Sequence, residues 1–121
     1  MRENIIVNKS FKFATNIIKI SSYLESNKRQ YVLANQLLRS GTSIGANVKE
    51  WVNAISKADF RNKMSIALKE ANETEYWLEL ILYSNIMEKS NSIELLNKCK
   101  DLCRILNSIV KNSKEGNAIN N

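Results

Sequence analysis

An all-α fold, an antiparallel up-down-up-down four-helix bundle, is what this sequence predicts, and three observations carry it. The 121 residues contain no proline and only three glycines, a balance that disfavours tight hairpins and suits long helices. Apolar residues recur at intervals of three and four along four segments, with short polar breaks between them. Length and a 44% hydrophobic content fit one domain with a modest core, and short breaks between successive helices place neighbours antiparallel. The bundle is expected over residues 1–114. From Asn112 the chain turns polar and asparagine-rich, so residues 115–121 are expected as a flexible tail.

The first helix is expected over about residues 5–25, with Ile6, Ser10, Phe13, Ile17, Ile20 and Leu24 along one line and Val7, Phe11, Ala14 and Ile18 beside it as a broad core-facing surface. Ser26 to Arg29 is a polar break. The second helix, about 30–54, repeats Leu33, Leu37, Gly41, Ile44, Val48 and Val52, and the line reaches Ile55. Ser56 with Asp59 three residues on has the spacing of a side chain that caps free amides at a helix start. The third helix, about 57–87, places Phe60, Met64, Ala67, Leu68, Ala71, Leu78, Ile81 and Leu82 on one face. A break over Asn85 to Ser92 follows, with Asn91 and Glu94 in capping spacing. The fourth helix, about 92–112, carries the cleanest stripe: Leu95, Leu96, Cys99, Leu102, Cys103, Leu106, Ile109 and Val110.

Several residues ask for more than core filling. Gly41 and Gly45, spaced i, i+4 within a helix, each cost about 1 kcal/mol relative to alanine unless a neighbour needs the space, so close helix packing is expected there. Gln36, Ser40, Ser43 and Asn47 form a polar ladder along the same helix, flanked by Arg39 and Glu50. Glu75 falls by angle within the apolar face of the third helix, where a lone carboxylate is costly to bury; Arg39 is its best candidate partner. The expected polar network is therefore Arg39, Ser43, Asn47, Glu50 and Glu75. Ile66, Trp77 and Leu80 lie on a second apolar face of the third helix, a pattern that points to an oligomer interface.

Charge separates the function classes. The net charge is +6, yet residues 1–69 hold 12 Lys/Arg against 4 Asp/Glu and residues 70–121 hold 6 against 8. A basic half suits a polyanionic partner, RNA or DNA first. Lys9, Lys12, Asn16, Lys19 and Tyr23 form a narrow polar stripe without an acid, read as opposite the core face of the first helix, and Lys28, Arg29, Arg39 and Lys49 add charge from the next. Lys9, Lys12, Lys19, Lys28 and Arg29 are the expected phosphate contacts, in salt-sensitive, sequence-tolerant binding. Histidine is absent, the acids are scattered, and no set of nucleophile, base and metal ligands emerges, so no catalytic residue, metal or cofactor is expected. Cys99 and Cys103, i, i+4 on an apolar helix face, read as core thiols of a reducing compartment. With no signal-like or membrane-spanning segment evident, a cytoplasmic location is expected.

The stretch Arg39, Ser43-Ile44 and Asn47-Val48-Lys49-Glu50-Trp51 resembles the hallmark of the four-helix-bundle family encoded in intervening sequences of bacterial 23S ribosomal RNA genes: an arginine, then Ser-Ile, then Asn-Ile-Ala-Glu-Gly. Ala67-Leu68 and Glu73-Thr74-Glu75-Tyr76-Trp77-Leu78 match a second element of that family. Lys49 and Trp51 depart from its alanine and glycine, so the Trp51 ring must find another place. The same fold is similar to that of accessory proteins of diversity-generating retroelements, and this resemblance implies a homopentameric ring that binds nucleic acid and engages a reverse transcriptase. It implies no enzyme. The leading expectation is thus a non-enzymatic, ring-forming bundle with a basic RNA- or DNA-binding surface. The alternative is a protein-interaction adaptor that docks a reverse transcriptase or another acidic protein without touching nucleic acid itself.

Overall fold

The computed structural model describes the backbone of residues 2–120 and the side chains of residues 5–113. Four helices follow one another: α1 (Arg2–Lys28), α2 (Tyr31–Val52), α3 (Lys57–Ser84) and α4 (Lys89–Asn120). Each packs on its neighbours in sequence, and α4 closes the bundle against α1 through the sparsest of the four seams. The expected tail, residues 115–121, lies outside the residues whose side chains are described.

Local chemistry sets the connections. Arg29 adopts the left-handed backbone (φ 54°), at a steric cost of about 1–2 kcal/mol, and this turns the chain so that the Gln30 amide donates to the Leu24 carbonyl at 2.9 Å. Ser56 caps α3 by accepting from the Asp59 amide at 3.1 Å. Asn85 ends α3 in the left-handed region (φ 55°), a conformation asparagine tolerates well. α4 begins at Lys89, so Asn91 and Glu94 lie inside the helix and do not cap it.

The core is a continuous apolar seam of Ile6, Phe13, Ile17 and Leu24 from α1, Leu37, Ile44 and Val48 from α2, Met64, Ala67, Ala71, Leu78 and Ile81 from α3, and Leu95, Cys99, Leu102 and Leu106 from α4. Each large aliphatic side chain contributes about 1.5–3 kcal/mol by leaving water. Trp51 joins this core: its ring meets that of Phe60 edge-on at 4.9 Å and closes the end of the bundle between α2 and α3.

Four apolar residues expected inside are outside. Phe11 is 70% exposed, Ile18 52%, Val52 53% and Ile55 96%. On α1 Ser10 and Ile17 are buried against Gly45 and Gly41 of α2, and Phe11 and Ile18, one step further round, project past that neighbour. Ile55 falls in the α2–α3 connection because α2 stops at Val52.

The two glycines differ in what they make room for. A Cβ on Gly41 would lie 2.8 Å from both Cγ1 and Cγ2 of Ile17, a fully buried side chain, whereas one on Gly45 would meet the Ser10 carbonyl oxygen at 3.4 Å, an ordinary contact. Gly41→Ala should therefore lower stability, the overpacking cost of about 1–3 kcal/mol exceeding the gain in helix propensity. Gly45→Ala should be neutral or stabilising by up to about 1 kcal/mol. Chemical denaturation of the two variants checks this, and equal effects would refute the asymmetry.

Candidate functional site

The lysine stripe of α1 does not point away from the core; it borders α4. Lys9, Lys12, Phe13, Thr15 and Asn16 of α1 face Lys98, Asp101 and Leu102 of α4 across an open groove of about 470 Å³. A smaller hollow of about 170 Å³ continues it, lined by Asn16, Lys19 and Ile20 on one side and Asn91, Glu94, Leu95 and Lys98 on the other. The groove exists because long polar side chains line both edges of the most loosely packed seam, with Phe13 and Leu102, both buried, as its apolar floor. From Lys9 to Lys19 it follows α1 for about 15 Å at 1.5 Å per residue.

Charge along the groove is uneven. Lys9 Nζ donates to Asp101 Oδ2 at 2.5 Å, and Arg104 Nη2 donates to Asp101 Oδ1 at 2.9 Å. Lys98 pairs more loosely with Glu94 at 3.4 Å, one helical turn away. Among the described residues, Lys12 and Lys19 carry no ion pair and are exposed. The other two expected phosphate contacts lie at the far end of α1: the Lys28 ammonium sits 5.9 Å from the centre of the Tyr23 ring, and Arg29 forms the left-handed turn. Lys98 and Asp101 are not marked by the sequence, because nothing in the α4 stripe shows which of its edges meets the lysines.

The expected polar network is divided among separate contacts. Arg39 does not reach Glu75: it pairs with Glu70 at 3.3 Å and with Glu73. The reason is angular. Glu70 and Glu73 occupy the edge of α3 that faces α2, whereas Glu75 lies on the α4 side, where its charge acts on the Cys99 thiol. Ser43 Oγ donates to the Arg39 carbonyl at 2.6 Å and Asn47 Nδ2 to the Ser43 carbonyl at 2.9 Å, so both serve their own helix. Glu50 pairs with Lys63 at 2.8 Å and raises the Lys63 pKa by that hydrogen bond. The buried polar link between α2 and α3 is made by Ser40 of the expected ladder with Thr74, at 3.0 Å between hydroxyl oxygens.

Of the residues on the second face of α3, Ile66 is half-buried and Trp77 packs against the core with its Nε1 donating to Glu73 Oε2 at 3.4 Å. Leu80 is exposed, as are Tyr76 and Tyr83 on the same helix. Cys99 and Cys103 are buried free thiols, and Cys99 Sγ donates to the Ala71 carbonyl at 3.4 Å. A hydrogen bond with Cys103, then burial, pushes the Cys99 thiol well above its usual range, so it stays protonated. Among the described residues there is no group of three or more carboxylates and thiols placed to hold a metal ion, and no helix is long and apolar enough to cross a membrane.

The chain matches the 23S rRNA-intervening sequence protein family over residues 2–108. It belongs to that family. It is also similar to the crystal structure of a Bacteroides thetaiotaomicron protein of the S23 ribosomal protein family, whose function is described as unknown. The two share 43% identity and a TM-score of 0.88, covering 92% of this chain and 99% of the other. No curated protein matches.

The residues that carry the family resemblance have structural work in this member. Ile44 and Val48 lie in the core, and Arg39 and Glu50, three turns apart on α2, each form ion pairs with α3. The groove lies on the opposite side of the bundle, built from residues outside that stretch.

Asp101 supplies a pH signature. Hydrogen bonds from Lys9 first, then Arg104, hold its carboxyl below the usual carboxylate range, against a smaller opposing effect of burial. A folded-state value below the unfolded one means stability that is fully present above the ordinary carboxylate pKa and lost as pH falls through the depressed value. The stability advantage of the native chain over Asp101→Asn, on the order of 1 kcal/mol or less for a partly exposed pair, should therefore be constant near neutrality and shrink below about pH 4. Denaturation at a series of pH values measures it, and a difference independent of pH would exclude this role.

Proposed function

We propose that this family member binds the phosphate backbone of RNA or DNA along the α1/α4 groove, as a homo-oligomeric, non-enzymatic bundle. The observation that carries the reading is the juxtaposition of Lys12 and Lys19, free of ion pairs among the described residues, with Lys98 across an open seam. Ammonium groups on flexible stems suit phosphate oxygens as point charges. Among the described residues the one aromatic ring lining the groove, Phe13, is buried in its floor, so binding should rest on phosphate contacts and be sequence-tolerant. Lys28 and Arg29, at the far end of α1 and outside the groove, are further candidate phosphate contacts. Association into a ring, a pentamer by the resemblance, would multiply a weak site into an extended basic surface. Leu80, with Tyr76 and Tyr83, is the exposed part of the α3 face available for that contact.

The second reading, an adaptor for a reverse transcriptase or another protein, draws on exposed apolar groups outside the groove, Phe11 and Ile18 of α1 above all. Retention of a partner after nuclease treatment and at high salt would favour it.

Lys12→Glu combined with Lys19→Glu should weaken binding to a labelled RNA or DNA duplex and reduce the slope of log affinity against log salt by about 2, with the helical signal unchanged. Wild-type affinity in the double variant would remove the groove from the site. In the native chain, light scattering after size exclusion should give a mass several times the 13.9 kDa of one subunit; a monomer would end the ring reading.

A further inference from the structure

We infer that Asp101 limits the affinity of the groove, holding Lys9 out of reach of phosphate and so restricting how tightly the seam grips a polyanion. The inference rests on the nucleic-acid reading above and goes beyond it. Lys9 lines the same groove as Lys12 and Lys98, one turn from Lys12, yet its ammonium is committed at 2.5 Å to Asp101 Oδ2. The other oxygen of that carboxylate is held by Arg104 at 2.9 Å, which orients it from its own helix and leaves Oδ2 aimed across the seam.

The consequence of placing a carboxylate here is that it neutralises one of the four lysines that line the groove and its continuation, Lys9. The pair is partly exposed, so it adds little to the fold. Burial of apolar surface along the seam is done by Phe13 and Leu102 beneath it. Neither core packing nor helix capping calls for an acid at position 101; its effect is on the charge that the seam presents.

The test is salt-dependent binding of labelled DNA and RNA duplexes to the full chain, to Asp101→Asn and to Asp101→Asn with Lys9→Gln. Asp101→Asn should bind several-fold more tightly at low salt, with a log–log salt slope steeper by about 0.9 on the DNA duplex, one added lysine–phosphate contact. Adding Lys9→Gln should abolish that gain. An Asp101→Asn slope equal to that of the native chain, or a gain that survives loss of Lys9, would overturn the inference while leaving the groove itself intact. Loss of binding in the Lys12/Lys19 variant alone bears on the groove reading. If the native chain binds neither duplex, Asp101→Asn decides the matter: binding gained through Lys9 upholds the inference, and continued silence ends both. Helical content and melting temperature, read alongside, exclude a folding defect as the cause.

Discussion

The approach of α1 to α2 at Gly41 governs much of this bundle. Ile17 occupies the volume that a side chain at position 41 would need, and this single interlock brings the two helices close enough for Ser10 to lie against Gly45 one turn further on. With α1 seated there, the line Ile6, Phe13, Ile17 and Leu24 is committed to the core. The opposite edge of α1 then has to meet α4 across whatever distance remains. That distance is generous, and the lysines and asparagine on this edge keep their heads in solvent above an apolar floor. A tight seam on one side and a loose one on the other are two results of the same placement.

α2 and α3 are joined by a different logic. Their shared core is apolar, with a buried hydroxyl pair, Ser40 and Thr74, and along the outer edge ion pairs join Arg39 to Glu70 and Glu73 and Glu50 to Lys63. Buried hydroxyls must find partners, and each of these two also sits near a carbonyl of its own helix, Leu37 for Ser40 and Glu70 for Thr74. The exposed ion pairs contribute little energy each, but they oppose charges in only one register. The stretch that marks the family is therefore a device for setting α2 on α3, and it stands apart from the groove on the other side of the bundle.

The proposed function rests on the least-packed part of the molecule. A seam that contributes little burial is free to vary its polar lining, and here the lining is three unacquitted or loosely held lysines and one held by a carboxylate. The ammonium groups that line it make electrostatics a chemistry the groove offers.

The sequence by itself determined the class and number of helices, the bulk of the core, the Ser56 cap and the existence of a lysine line at helical spacing, because each follows from local propensity or from periodicity about one axis. Tertiary structure alone decided which neighbour lies at each angle. Periodicity placed Glu75 near an apolar face but could not say that the face belonged to α4 and that Arg39 faced Glu70 and Glu73 instead. It grouped Phe11 and Ile18 with the core, although α1 has room to bury only the residues between its two neighbours. And it could not pair Lys9 with Asp101, 92 residues away, since a contact across a seam depends on how two helices are set side by side, which no single helix records.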